Sequence, residues 1–254
     1  MTLRLRNFIL ILIALISITG LTLLIFGIFD NMTLITDEIL SAHMPIAIQL
    51  LFSSIACIII FSTFRNTASA EIFFFYIFIF TFSFDIFKIV ILMLPEASLP
   101  FSYGMITTRL VYFGRFLGAM ALFSSGLFSS GLEYQRMGLV FSVSIVLSGA
   151  LVWLLPVDIS SSVPGQTWEL GNFLEIAIAI GVLKLIAILN FVIAGLKNEN
   201  HEYLLIAVGL FLTASGREIL YYIPGYIASA VGVLLLLSGT VIFGLRTHQL
   251  YLWE

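Results

Sequence analysis

Eight ionisable residues interrupt otherwise apolar stretches of this sequence: Asp85, Lys88, Arg109, Arg115, Glu175, Lys184, Arg217 and Glu218. Asp85 and Lys88 stand in "FSFDIFKIV", where every other residue is Phe, Ile, Ser or Val. A charge at the centre of a membrane helix costs about 2.5–3.5 kcal/mol by translocon insertion. Such groups therefore pair, face the interior of a bundle or line a wet cavity. Their types define the chemistry on offer. An Arg guanidinium is a planar fork that matches carboxylates and phosphates, and a Lys ammonium is a compact charge with three donors.

The elements that must position these groups are long apolar segments. Of 254 residues, 61% are hydrophobic and 10% charged, with a mean hydropathy of +1.15. Globular proteins carry roughly 25% charged residues, so the composition predicts a membrane protein. A net charge of −3, thinly spread, excludes a nucleic-acid footprint. Crossing a hydrocarbon core takes about 20 mostly apolar residues. Four segments meet this without a charge: Phe8–Phe29, Met44–Phe64, Met137–Val157 and Tyr226–Leu245. Four more carry charge: Glu71–Leu94, Met105–Ser130, Gly171–Leu196 and Tyr203–Tyr222. The expected fold is a single all-α bundle of eight transmembrane helices. The basic start "MTLRLR" resembles a signal peptide, but the apolar run behind it is too long for one, and it reads as a retained helix.

Counting eight crossings sorts the cations cleanly. Arg4, Arg6, Arg65, Arg136, Lys197 and Arg246 fall on one side. The connections on the other side hold Asp30, Asp37, Glu38, Glu96, Asp158 and Glu169, with no Lys or Arg. The positive-inside rule then predicts that both termini are cytoplasmic, and the expected protein is a plasma-membrane one, bacterial in type. Trp153, Trp168 and Trp253 stand near expected boundaries, as interfacial aromatics do. The layout resembles that of the seven-helix membrane modules preceding output domains in bacterial sensor proteins, without a shared motif. The short connections lead us to expect a partner protein to supply any output.

Depth gathers the charges. At about 1.5 Å of rise per residue, Arg109, Glu175 and Glu218 lie roughly 6 Å below one boundary, Lys88 and Arg217 about 8–9 Å, Asp85 about 14 Å and Arg115 about 15 Å. Lys184 falls roughly 20 Å down by the same rise, nearer the opposite boundary. Asp85 and Lys88, at i and i+3, share one helix face and can pair locally. Asp85 and Arg115, at similar depth, form a candidate cross-helix pair. Arg109, Tyr112 and Arg115 step down one side of the fourth segment. The expected site therefore comprises Asp85, Lys88, Arg109, Tyr112, Arg115, Glu175, Arg217 and Glu218, without Lys184. Its four cations (Lys88, Arg109, Arg115, Arg217) against three carboxylates (Asp85, Glu175, Glu218) leave one positive charge over. An outer-half pocket of this kind suits an anionic or zwitterionic ligand and points to a binding or sensory subunit. The same pocket would serve a small secondary transporter, and the charges alone could instead fix helix registry.

Other chemistry finds no support in the sequence. His43, His201 and His248 are scattered, which argues against a His-based metal site, and Cys57 is alone. No HExxH, GxSxG or Walker loop occurs. The last segment has no lysine for a retinal. No enzyme activity and no cofactor are expected, and lipids are the expected surroundings. Gly114, Gly118, Ala121 and Ser125 form a small-residue stripe suited to close helix packing, and Pro224-Gly225 marks a tight turn. The expected topology has a direct check. With Cys57→Ala as background, a cysteine replacing Ser161 reacts with an impermeant reagent applied outside, whereas one replacing Asn198 does not. The reverse labelling pattern refutes the orientation.

Overall fold

The computed structural model of the chain describes residues 3–30, 37–64, 69–88, 101–163 and 167–252. Expectations that rest on Arg65, on 89–94 of the third segment, on Glu96 and on Trp253 lie outside the described residues. The elements run α1 (Leu3–Asp30), α2 (Asp37–Phe64), α3 (Ala70–Phe80), a 3₁₀ segment (Thr81–Ile86), α4 (Phe101–Ser129), a single 3₁₀ turn (Tyr134–Arg136), α5 (Met137–Leu154), β1 (Val157–Val163), β2 (Thr167–Leu170), α6 (Phe173–Lys197), α7 (His201–Tyr222) and α8 (Tyr226–Leu252). Seven of them, all the α-helices except α3, are long and apolar enough to cross a membrane. Their outward faces carry exposed Leu, Ile and Val, among them Leu139, Val146, Ile178, Leu196, Ile227 and Leu234. Apolar area on that scale belongs against lipid, not water.

The third segment differs from the continuous helix 71–94 that composition suggests. Ser69 opens α3 by accepting a hydrogen bond from the Ile72 amide at 3.2 Å, and all eleven residues of α3 are buried. A helix apolar on every side belongs in the middle of a protein, and α3 is the central strut. Its rings interlock with those of its neighbours: Phe75 stacks on Phe243 at 3.8 Å between centroids, Phe74 on Phe128 at 5.5 Å, and Phe73 meets Phe141 edge-on at 5.4 Å.

At Thr81 the helix tightens to 3₁₀ for six residues. Thr, Ser and Asp bond local backbone in competition with the α pattern, and "TFSFD" has one of each at every second position. Thr81 Oγ1 donates to the Phe78 carbonyl at 2.7 Å. The segment is received by the expected small-residue stripe of α4. A Cβ on Gly114 would come within 2.5 Å of Phe84 Cβ, and one on Gly118 within 2.6 Å of Thr81 Oγ1. Lower on the stripe, Ser125 Oγ donates to the Glu71 carbonyl at 3.2 Å.

Both ends of the bundle are identifiable from contacts. At one, Arg6 and Phe64 line the same small cavity as Ser69, Phe64 meets His248 edge-on at 5.9 Å, and Arg246 pairs with Glu202 at 3.4 Å. At the other, Phe173 meets Tyr222 edge-on at 5.7 Å. There the 156–170 connection is not a loop: β1 and β2 pair antiparallel, with Val157 opposite Leu170 and a bulge after Asp158. Several helices also outrun expectation, α1 starting at Leu3, α2 at Asp37 and α4 at Phe101, and α8 continuing to Leu252.

Helices α7 and α8 are joined by glycines. Gly209 faces the Gly239 carbonyl, and Gly216 faces the Gly232 carbonyl, each closer than 3 Å to a would-be Cβ. The turn between them contains Gly225 at φ +117°, a left-handed conformation suited to glycine. A Cβ on Gly239 would meet Thr213 Oγ1 at 2.4 Å, whereas Gly244 has nothing within 4 Å. Gly239→Val is therefore expected to destabilise the protein by about 1–3 kcal/mol through overpacking. Gly244→Val should stay within about 0.5 kcal/mol. Thermal melting of the two variants in detergent provides the comparison.

Candidate functional site

Helix α7 sends two neighbouring charges in different directions. Arg217, 1% exposed, turns to the central strut: its Nη1 donates to Thr81 Oγ1 at 3.0 Å and its Nη2 to the Thr81 carbonyl at 3.4 Å. That carbonyl sits where α-helix gives way to 3₁₀, so Arg217 satisfies an acceptor at the change of pattern. Phe82 lies under the guanidinium at 4.7 Å. Gly118 makes the room, since a Cβ there would fall 2.4 Å from Arg217 Nη1.

Glu218 turns instead toward α4 and α6. Arg115 Nη2 donates to its Oε2 at 2.8 Å, and Lys184 Nζ donates to its Oε1. One carboxylate is thus shared by cations from two other helices. The Arg115 guanidinium also lies 3.8 Å from the Tyr221 ring and 4.7 Å from Tyr222. Lys88 Nζ approaches the same Tyr221 ring at 3.5 Å, which links the node to the end of the 3₁₀ segment. Aromatic faces stabilise desolvated cations by up to about 2 kcal/mol or more.

Lys184 corrects the sequence-based depth estimate, which excluded it. Phe173 and Tyr222 mark a common level, and from there Lys184 lies about 10 Å deeper along its helix than Glu218 along its own, at the usual helical rise. Side chains lean toward the N-terminus of their helix. In antiparallel α6 and α7 they therefore lean toward each other, and two long side chains close the gap.

Three expected members lie elsewhere. Glu175 is exposed and accepts from Asn172 Nδ2 at 2.9 Å, while Asn172 accepts from the Leu174 amide at 3.1 Å. Together with Glu169, which accepts from the Phe173 amide at 2.8 Å, they cap α6. Acidic groups belong at a helix N-terminus, so the N-x-x-E pattern carries the role that Glu175 has. Arg109 lies over Trp153 at 4.8 Å, on the rim between α4 and α5. Tyr112 packs in an apolar cluster with Phe116, Val152, Leu170 and Ile176, beneath the hairpin. The expected Asp85–Arg115 pair is also replaced, because Glu218 holds Arg115. Asp85 keeps its local partner: Lys88 Nζ lies 3.8 Å from Oδ1. That is ion-pair distance without a hydrogen bond, and both Asp85 oxygens lack a donor among the described residues although the side chain is 1% exposed.

The assembled site therefore differs from the expected one. Lys88, Arg115, Lys184 and Arg217 stand against Asp85 and Glu218, so four cations face two carboxylates and two positive charges are in excess. Lys184, Tyr221 and Thr81 are the members missed by sequence reasoning. Tyr221 follows Arg217 by four residues and Glu218 by three, a helical spacing that places it beside both. No group of three or more His, Cys, Asp or Glu fit for a metal ion occurs among the described residues.

Breaking this node strands a buried charge. Arg115→Leu leaves Lys184 and Glu218 to rearrange in a buried site and should destabilise the protein by about 3–5 kcal/mol. Arg109→Leu, on the rim, should cost about 1 kcal/mol or less, the order of an exposed cation–π contact. Denaturation in detergent micelles measures both, and equal losses would refute the assignment of Arg115 to the buried node. No family model and no curated protein matches this chain.

Proposed function

We propose that this chain is a bacterial plasma-membrane protein of eight crossings, with both termini cytoplasmic, that acts as a binding or sensory subunit for a small anionic or zwitterionic ligand. The third crossing in this reading is α3 with its 3₁₀ continuation. The observation that carries the proposal is the excess of two buried positive charges around Glu218. Buried cations in excess attract an anion, because the low dielectric weakens screening. Access is the second support. Glu218 is 30% exposed while Arg115 and Lys184 are 3% and 7%, so the shared carboxylate is the open member of the node. An anion arriving there competes with Glu218 for Arg115 and Lys184. Because these three residues come from α4, α6 and α7, exchanging partners biases the packing of three helices at once. A ligand shifts such an equilibrium by its difference in affinity for the two arrangements. The output then passes to a partner protein.

One observation favours a second reading, that of a structural subunit whose charges set registry. The Arg115–Glu218–Lys184 node is already closed by hydrogen bonds. Binding separates the two. In the proposed function, inorganic phosphate or acetate raises the melting temperature in detergent, by about 1.4 kcal/mol of stability per tenfold concentration above the dissociation constant. Lys184→Met abolishes that gain. In the registry reading no anion stabilises the protein, and replacing Arg115, Lys184 and Glu218 together by leucine recovers most of the loss caused by Arg115→Leu.

A further inference from the structure

Arg109 is the cation that the buried node leaves aside, and its surroundings define a second surface. Among the described residues it forms no ion pair and no side-chain hydrogen bond. By contrast, Arg115, Lys184 and Arg217 each donate to an oxygen of this chain. The Nε of Arg109 is enclosed without an acceptor, while the residue as a whole is partly exposed. What holds the guanidinium is the face of Trp153, 4.8 Å away. A ring satisfies part of the charge but accepts none of the in-plane N–H donors. Donors left unmet in apolar surroundings cost free energy, so this fork calls for acceptors from outside the chain.

The pair stands near the end of two membrane-length helices. Trp153 is the second-last residue of α5 and is 73% exposed, the setting of an aromatic at the headgroup level. Arg109 starts deeper, on the third turn of α4. The two helices run antiparallel, since Ser124 meets Ser144 at 3.3 Å further in. Side chains lean toward the N-terminus of their helix. The arginine therefore leans outward and the tryptophan inward until they meet. One turn below them, Phe113 of α4 faces Gly149 of α5. A Cβ on Gly149 would meet Phe113 Cε2 at 3.9 Å and nothing else within 4 Å. The bare glycine leaves a shallow apolar trough under the arginine, and exposed Val146 continues it toward the middle of the helix.

We propose that Arg109 and Trp153 bind an anionic phospholipid, its phosphate on the guanidinium and an acyl chain in the trough over Gly149. An arginine fork matches two phosphate oxygens, and Trp153 steadies it from one face. Charge complementarity selects the occupant. Arg109 brings an uncompensated positive charge to the level where a bilayer carries its phosphates. A headgroup with its own ammonium would need a carboxylate to receive it. None stands within ion-pair distance of Arg109 among the described residues, and Glu175 and Glu169 are engaged at the start of α6. A net-negative headgroup such as phosphatidylglycerol has no such need. The inference requires only that α4 and α5 cross a membrane. It is independent of the anion site at Glu218, and either can fail alone.

Fluorescence quenching in bilayers of the full chain tests it. Trp168→Phe and Trp253→Phe leave Trp153 as the sole emitter, and brominated phosphatidylglycerol quenches it on entering the trough. Measured against brominated phosphatidylcholine, binding of phosphatidylglycerol at Trp153 should be about fivefold stronger, the worth of one arginine beside an anionic lipid. Arg109→Gln should bring that ratio to about one. Arg136→Gln, at an exposed arginine paired with Glu133 beyond the other end of α5, should leave it unchanged. Native mass spectrometry of the unsubstituted chain, purified from an equimolar mixture of the two lipids, reads the same preference without any substitution. A ratio near one in both measurements overturns the proposal. So does a fivefold ratio that persists in folded Arg109→Gln. If inorganic phosphate, but not chloride at equal ionic strength, abolishes the preference, the site takes free phosphate and the lipid assignment falls.

Discussion

Glu218 answers to two cations at once, and most of the bundle is arranged so that it can. In a low-dielectric interior an unpaired charge is expensive, and one partner lost from a buried pair leaves the other stranded. Arg115 and Lys184 enter from different helices, so their shared carboxylate fixes the rotation of α4, α6 and α7 together. Tyr221 extends the constraint to the central strut by giving Lys88 a ring to rest on. Remove the carboxylate and three helices lose a common reference.

The same economy governs the neighbouring turn of α7. Arg217 is fully buried, yet it reaches no carboxylate by hydrogen bond among the described residues. It spends its donors on the Thr81 hydroxyl and carbonyl. A guanidinium is suited to this because its fork addresses two acceptors in one plane. Glycines at 114 and 118 clear the space that the arginine and the 3₁₀ segment occupy. Charge, helix pattern and small residues are one device here, and each is idle without the others.

Much of this was legible in the sequence where the signal is local. Segment length and hydropathy locate the long helices, the small-residue stripe of α4 receives the strut as its spacing implies, Pro224-Gly225 makes the turn, and Asp85 pairs with Lys88 one turn on. What was not legible depends on direction rather than position. Depth counted along backbones separates Lys184 from Glu218, but the opposed lean of their side chains rejoins them. Arg109 and Glu175 have the right depth, yet Trp153 offers one a ring and the start of α6 offers the other a cap. The Thr81 carbonyl, where the helix pattern changes, is satisfied by a guanidinium 136 residues later in the chain.

The glycine seam between α7 and α8 has a mechanical meaning. Backbones that touch at Gly209, Gly216, Gly232 and Gly239 cannot slide without steric collision, because the opposed surfaces are main chain and not pliable side chain. The two helices therefore behave as one stiff plank more than 20 residues long. Arg217, Glu218 and Tyr221 are mounted near one end of that plank. The Arg246–Glu202 pair and the His248 contact with Phe64 sit at its far end. A tilt of a few degrees at the charged end would be delivered across the bundle undiminished, as the swing of a lever and not as the flexing of a helix.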